Sequence, residues 1–228
     1  EIGTLPIPVV ILLAMLIGAA IGCFNGLFVA KFKLHPFIVT LGTQLILYTC
    51  LLLYVQQGNN NGMAISNLDP SYTSFVKGEL FRINGTPVPM YVLFAVVLTA
   101  VMWFIWNKTT FGKNMFALGS NEEAARVSGV NVFAITVGVF ALAGAMYGFT
   151  GFIEGARIGS NTANTGLNYE LDAIAACVIG GVSFVGGIGK IFIGLTMVGV
   201  PQDLQYLIKG AIILFACALD MRKYLVKK

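Results

Sequence analysis

Residues 107–131 read NKTTFGKNMFALGSNEEAARVSGVN, a polar stretch between two of the longest apolar runs in the chain. Ser120 followed three residues later by Glu123 has the spacing of a capping box. The pattern predicts a short helix over 121–128, with acids in its first turn, Arg126 in its last and Gly129 as its stop. Burial in lipid cannot hold a capped two-turn helix between membrane spans. A contact outside the membrane is expected to engage it.

The surroundings fit that reading. Of 228 residues, 57% are hydrophobic and only 11% charged, and the mean hydropathy is +0.83. A soluble domain carries about 25% charged residues. Several apolar runs approach the roughly 20 residues that cross a bilayer core, and none shows the alternating segments of about ten residues of a membrane barrel. The chain reads as an all-α, polytopic helical membrane protein. The net charge of +4 carries no nucleic-acid signature. Cys23, Cys50, Cys177 and Cys217 lie in apolar runs without paired spacing and read as small core residues rather than disulfides or metal ligands. A single histidine, His35, gives no basis for a metal site or a catalytic triad, and reads as a turn residue. The chain opens on Glu1 without the features of a signal peptide, and residues are expected to precede it.

In order, residues 7–30 form a first span in which Gly18, Gly22 and Gly26 recur every four positions, the small-xxx-small pattern of close helix approach. Asn25 beside them either bonds to a neighbouring helix or lines a polar pathway. Pro36 is placed to open a second span over 37–56, where Thr40, Thr43 and Gln44 share a face, as helix glue or as a water-facing wall. Residues 57–89 read as a polar loop outside the membrane. Its Asn84-Gly85-Thr86 has the form of a glycosylation acceptor, a weak three-residue pattern. A third span covers 90–106, ending in Trp103 and Trp106, which suit an interfacial belt. The fourth span, 132–153, is lined by Gly144, Gly148, Gly151 and Gly155. Glu154 and Arg157 follow it as a local ion pair or a contact with a partner or solute. A fifth crossing is expected over 169–185, entered by Glu170 and Asp172.

Residues 180–190, GGVSFVGGIGK, are dense in glycine but fail the phosphate-loop pattern, which would need glycine at Phe184 and Ser or Thr at Ile191. Close backbone packing is the expected role of Gly180, Gly181, Gly186, Gly187 and Gly189. Residues 191–200 are apolar yet only ten long before Pro201, and 206–219 form the last run ahead of the basic tail MRKYLVKK. With about seven crossings, ten Lys and Arg fall on the side of residues 107–131 and four on the other. That bias places 107–131 and the C-terminus in the cytoplasm and the 57–89 loop outside.

Glu123, Ala124, Ala125 and Gly129 resemble the EAA-x-x-x-G loop of ATP-binding-cassette importer permeases, although the later apolar-proline portion of that motif is unmatched. Three further stretches, Cys23–Thr43, Phe111–Val132 and Tyr169–Gly189, together with the QYLIKGAIILFACALDMRKY run, resemble the permease subunits of galactose/methyl-galactoside importers in the ribose-type sugar permease family. The resemblance covers nearly the whole chain and is weakest over 57–89. It implies a multi-pass protein of the bacterial inner membrane that acts as a pair of permease copies. Its other implied partners are two cytoplasmic ATPase subunits that bind the ATP and a periplasmic sugar-binding protein. It implies ATPase contact at Asn121, Glu122, Glu123, Ala124, Ala125, Arg126 and Gly129, and packing or gating by the glycines of 180–189. Members of that family have further spans before residue 7 and a longer segment after the glycine loop, so residues are expected to be absent near 190–195.

An uncharged sugar calls for hydroxyl, amide and aromatic partners, and the neutral set Asn25, Thr40, Thr43 and Gln44 is the expected pathway lining. Ribose, xylose or another small polar solute would suit the same set. An ATP-independent transporter would hold an ionisable residue near the bilayer midplane. Here the acids Glu154, Glu170, Asp172 and Asp220 crowd at span ends. An intramembrane enzyme lacks any nucleophile–base or metal constellation. The chain is expected to perform no chemistry of its own.

Overall fold

The computed structural model describes residues 5–57, 63–66, 68–83, 86–179, 181–182, 186–187 and 189. Ten elements follow in order: α1 (Ile7–Phe32), α2 (Pro36–Gln56), α3 (Pro70–Lys77), β1 (Glu79–Ile83), β2 (Thr86–Pro89), α4 (Met90–Lys108), α5 (Thr110–Ser120), α6 (Glu122–Val127), α7 (Val132–Ile158) and α8 (Tyr169–Ile179). Among the described residues, α1, α2, α4 and α7 are long and apolar enough to cross a membrane, at 26, 21, 19 and 27 residues. At about 1.5 Å per residue they reach roughly 28–40 Å, against the roughly 30 Å of a bilayer core. Large apolar side chains such as Leu16, Ile17, Leu45 and Ile46 point outward from them, as a lipid solvent requires. Four of the expected spans are therefore helices, and α2 begins at Pro36 as its sequence demands.

Two compact units form. The first comprises the described residues up to Val101 together with Asn131–Thr165. Its centre is the antiparallel pair α1 and α7. A side chain added at Gly18 would collide with the Gly144 carbonyl oxygen, at Gly22 with that of Phe140, and at Gly148 with that of Ala14. At Gly26 it would stand 2.9 Å from Val137 Cα. The glycines of α1 thus pack against α7, with Gly144 and Gly148 directly opposite Gly18. Backbone meets backbone, which maximises dispersion contact where lipid offers no hydrophobic drive. Gly151 and Gly155 stand apart from this seam: nothing lies within 4 Å of a side chain at Gly151, and one at Gly155 would meet Asn161.

The stretch expected as a featureless loop over 57–89 instead holds α3 and an antiparallel hairpin. Asp69 caps α3 by accepting from the Ser71 amide at 2.9 Å, and this bond holds its exposed carboxyl below the ordinary value of 3.8. Fully buried Val76 anchors the helix, while Phe75, Phe94 and Phe149 stack in sequence at 5.3 and 6.2 Å. In the hairpin Ile83 pairs with Thr86, and the expectation for Asn84-Gly85-Thr86 falls on positions 84 and 85, outside the described residues. Ile65 and Asn161 exchange backbone hydrogen bonds of 2.8 and 3.0 Å, tying this region to the turn after α7. Among the described residues the fold is therefore helical with one small sheet.

The second unit comprises Met102–Val130 and the described residues from Gly166 onward. Here α5, an eleven-residue helix absent from the sequence reading, turns back on the end of α4. Gly112 is buried where a side chain would meet the Ile105 carbonyl, and Phe116 lies 6.4 Å from the Trp106 ring. α8 runs only over Tyr169–Ile179, eleven residues. Gly181 takes a left-handed φ of +83°, and the Val182 amide donates to the Cys177 carbonyl at 3.0 Å, the closing bond of a glycine-terminated helix. Of the fifth crossing expected over 169–185, the structure describes α8 as far as Ile179, and positions 180 and 183–185 lie outside the described residues. Cys50 and Cys177 are exposed and Cys23 half-buried, so none of these three is the core residue expected. The expectations for Gly180, for the spans at 191–200 and 206–219, for Cys217 and for residues absent near 190–195 lie outside the described residues.

Candidate functional site

Two places collect the side chains singled out by the sequence. The first is a cavity of about 670 Å³ bounded by α1, α2 and α7, within the roughly 300–1,000 Å³ of small-molecule sites. Its wall is mostly aliphatic and aromatic, with Asn25, Thr40 and Tyr147 as its polar contributors. Asn25, 8% exposed, is the one buried polar residue among those described. Thr43 Oγ1 donates to its Oδ1 at 2.6 Å and also lies 3.1 Å from the Val39 carbonyl. The other amide atom of Asn25 has no protein partner, and no buried polar side-chain atom among the described residues lacks one. It is therefore open to the cavity. Thr40 turns its hydroxyl onto the carbonyls of Pro36 and Phe37, both at 3.1 Å, leaving lone pairs to face outward. Asn25 and Thr40 thus line the cavity, Thr43 reaches it only through its bond to Asn25, and Gln44 is exposed and outside it.

The second place is α6. Its cap is Asn121, whose side chain accepts from the Ala124 amide at 3.0 Å. Ser120, expected as the cap, is the last residue of α5, and its hydroxyl donates to the Phe116 carbonyl. Asn121 competes better because its amide oxygen reaches the third helical N–H while its own backbone stays extended, with φ −161° and ψ 109°. At the far end Gly129 has φ +82°, its amide donating to Arg126 and that of Val130 to Ala125. Both bonds of the glycine-terminated motif are made. Arg126 pairs with Glu122 at 2.8 Å on the surface, a pair worth about 0.3–0.5 kcal/mol.

Burial gives α6 a direction. Ala125 is 3% exposed and faces inward. Two residues to either side of it, Glu123 and Val127 stand roughly 160° around the helix. Val127 is 89% exposed. A β-branched apolar side chain held out this far beside a carboxylate is a contact point without a contact. Glu122, Ala124 and Arg126 lie on the flanks. The described glycines of the later loop approach the end of α5, where Gly186 and Gly187 meet Gly119 and Ser120. Glu154 and Arg157 form a bidentate pair at 2.7–2.8 Å, the local arrangement their spacing allowed.

The model of a family described as branched-chain amino acid transport system / permease component matches residues 2–217. The chain belongs to this permease family. It is 45% identical to the galactose/methyl galactoside import permease protein MglC of Haemophilus influenzae, with 100% of this chain and 71% of that protein covered. The MglC protein of Escherichia coli is 47% identical with the same coverage. The ribose import permease protein RbsC of Escherichia coli is 36% identical over 92% of this chain and 68% of its own length. No solved structure matches the chain at a significant level.

In this permease the outward residue that sequence reasoning passed over is Val127. Its signal was present: counting two positions either way from a small residue, Ala125, gives the opposite face of a helix. The reading stopped at the EAA spacing and skipped the valine inside it. Tyr147 was missed as well, because α7 was read for its glycines alone.

Proposed function

We propose that this permease is the membrane subunit of an ATP-binding-cassette importer carrying galactose and methyl galactosides inward. It works with a second permease copy, cytoplasmic ATPase subunits and a sugar-binding protein outside. The observation that carries the reading is identity of 45–47% along the whole chain to relatives named for that import, against 36% to a ribose permease. α6 is the handle in this scheme. An ATPase cleft with an apolar floor and a cationic rim would take Val127 and Glu123 together, and the two caps keep the helix formed while it is pushed. Asn25 and Thr40 offer an amide and hydroxyl lone pairs to sugar hydroxyls, with Thr43 fixing the Asn25 rotamer. A cytoplasmic side for α6 and the C-terminus is supported by the charge asymmetry of the sequence. The function is alternating access driven from below, with hydrolysis performed on the partner subunit.

The test is uptake by proteoliposomes holding the permease, its ATPase and the sugar-binding protein. The expected result is ATP-dependent accumulation of galactose that excess ribose leaves intact. Equal accumulation without ATPase would place the protein among secondary transporters instead.

A further inference from the structure

The last turn of α5 and the glycine loop meet closely, backbone against backbone where Gly119 faces Gly186. A side chain at Gly119 would stand 2.8 Å from the Gly187 amide nitrogen and 3.7 Å from the Gly186 carbonyl carbon. One at Gly186 would collide with the Gly119 carbonyl oxygen, and one at Gly187 with Ser120 Oγ. The fit is reciprocal, so neither side can yield. Gly186 and Gly187 also hold φ of +93° and +72°, conformations in which a side chain is strained. Gly189 adds an ordinary contact, 3.9 Å from Phe116 Cε1.

The position of this contact gives it meaning. Asn121, the residue after Ser120, both ends α5 and caps α6. The glycine contact and the handle are thus one peptide apart. Glycine weakens a helix relative to alanine, and at Gly119 the close approach supplies the reason for bearing it. Packed backbone has little slack and passes displacement on rather than absorbing it.

We propose that Gly119 and Ser120 are positioning residues that tie the glycine loop to α6, so that movement of α6 is delivered to the loop. This rests on the coupling role of α6 argued above. The complex reconstituted with its ATPase and sugar-binding protein tests it. Gly119→Ala is expected to co-purify with the ATPase and to hydrolyse ATP within twofold of wild type, while sugar taken up per ATP falls at least tenfold. Gly42→Ala, with nothing within 4 Å of the new side chain, is expected to match wild type. Unchanged uptake per ATP in Gly119→Ala would overturn the proposal. If that variant does not accumulate, hydrogen exchange on the wild-type complex decides. Nucleotide should alter exchange over 181–189 together with 119–129, and a change confined to 119–129 would overturn the tie. A wild-type chain that binds no ATPase would sink the coupling reading itself, a separate outcome.

Discussion

The α1–α7 seam and the α6 helix use opposite means to the same end of fixing one geometry. At the seam, information lies in what is missing: Gly18, Gly22, Gly144 and Gly148 have no side chains, and the carbonyls of the facing helix occupy the space. At α6, information lies in what is present: Asn121 at one end, the left-handed Gly129 at the other, and Val127 held 89% exposed between them. The seam is a dry contact that tolerates no addition. The short helix owes little to burial beyond Ala125, so losing a cap should matter more there than any added volume. Structural load sits in the first region, and the proposed recognition in the second.

The largest effect should come from breaking the seam. Gly144→Leu drives four carbons into the Gly18 backbone, where overpacking of about 1–3 kcal/mol is the usual minimum. Detergent-solubilised protein should lose most of its thermal stability, while Gly151→Ala on the same helix should melt like wild type. Equal melting of the two variants would show that the seam is not the organising contact. Next comes the cap. Asn121→Ala should cost about 1 kcal/mol of local helix stability, read as faster amide exchange over 122–127 at unchanged global melting. Ser120→Ala should leave that exchange rate alone, since Ser120 bonds back into α5.

Much of this was legible in sequence, and the misses have physical causes. Hydrophobic length located α1, α2, α4 and α7, because lipid leaves little choice about which residues span. Four-residue glycine spacing found both stripes but not that they face each other, since spacing describes one helix and pairing is tertiary. The cap went to Ser120 in place of Asn121 because a capping box and a simple Asn cap are offset by one residue and both precede Glu123. The hairpin over 79–89 hid behind its prolines, Pro87 and Pro89. Gln44 was grouped with Thr40 by helical spacing, and only the place of α1 beside α2 shows that Thr40 and Leu47 line the cavity while Gln44 is exposed outside it.

Smaller tests sharpen the contrast further. Thr43→Val removes the hydroxyl that holds Asn25, and hydrogen bonds between membrane helices average about 0.6 kcal/mol. Uptake should fall severalfold at nearly unchanged stability, through a freed Asn25 rotamer. The smallest effect concerns Asp69. Its ionised form is favoured by the Ser71 amide, so the cap contribution is complete above the ordinary value of 3.8 and is lost as pH falls through the lowered one. The protection factor of the Ser71 amide, its exchange rate relative to the intrinsic rate at the same pH, should fall on acidification, and Asp69→Asn should remove that pH dependence.

The account turns most on α6 as the contact for a separate ATPase. Co-purification of that ATPase with wild type, Glu123→Lys and Val127→Asp, alongside ATP-driven sugar uptake, tests this directly. Both side chains lie opposite the buried face, so each variant should fold and melt like wild type. Each should lose at least tenfold in ATPase recovery, about 1.4 kcal/mol of binding, with uptake falling in parallel. Variants that recover the ATPase and transport sugar as wild type does would contradict it.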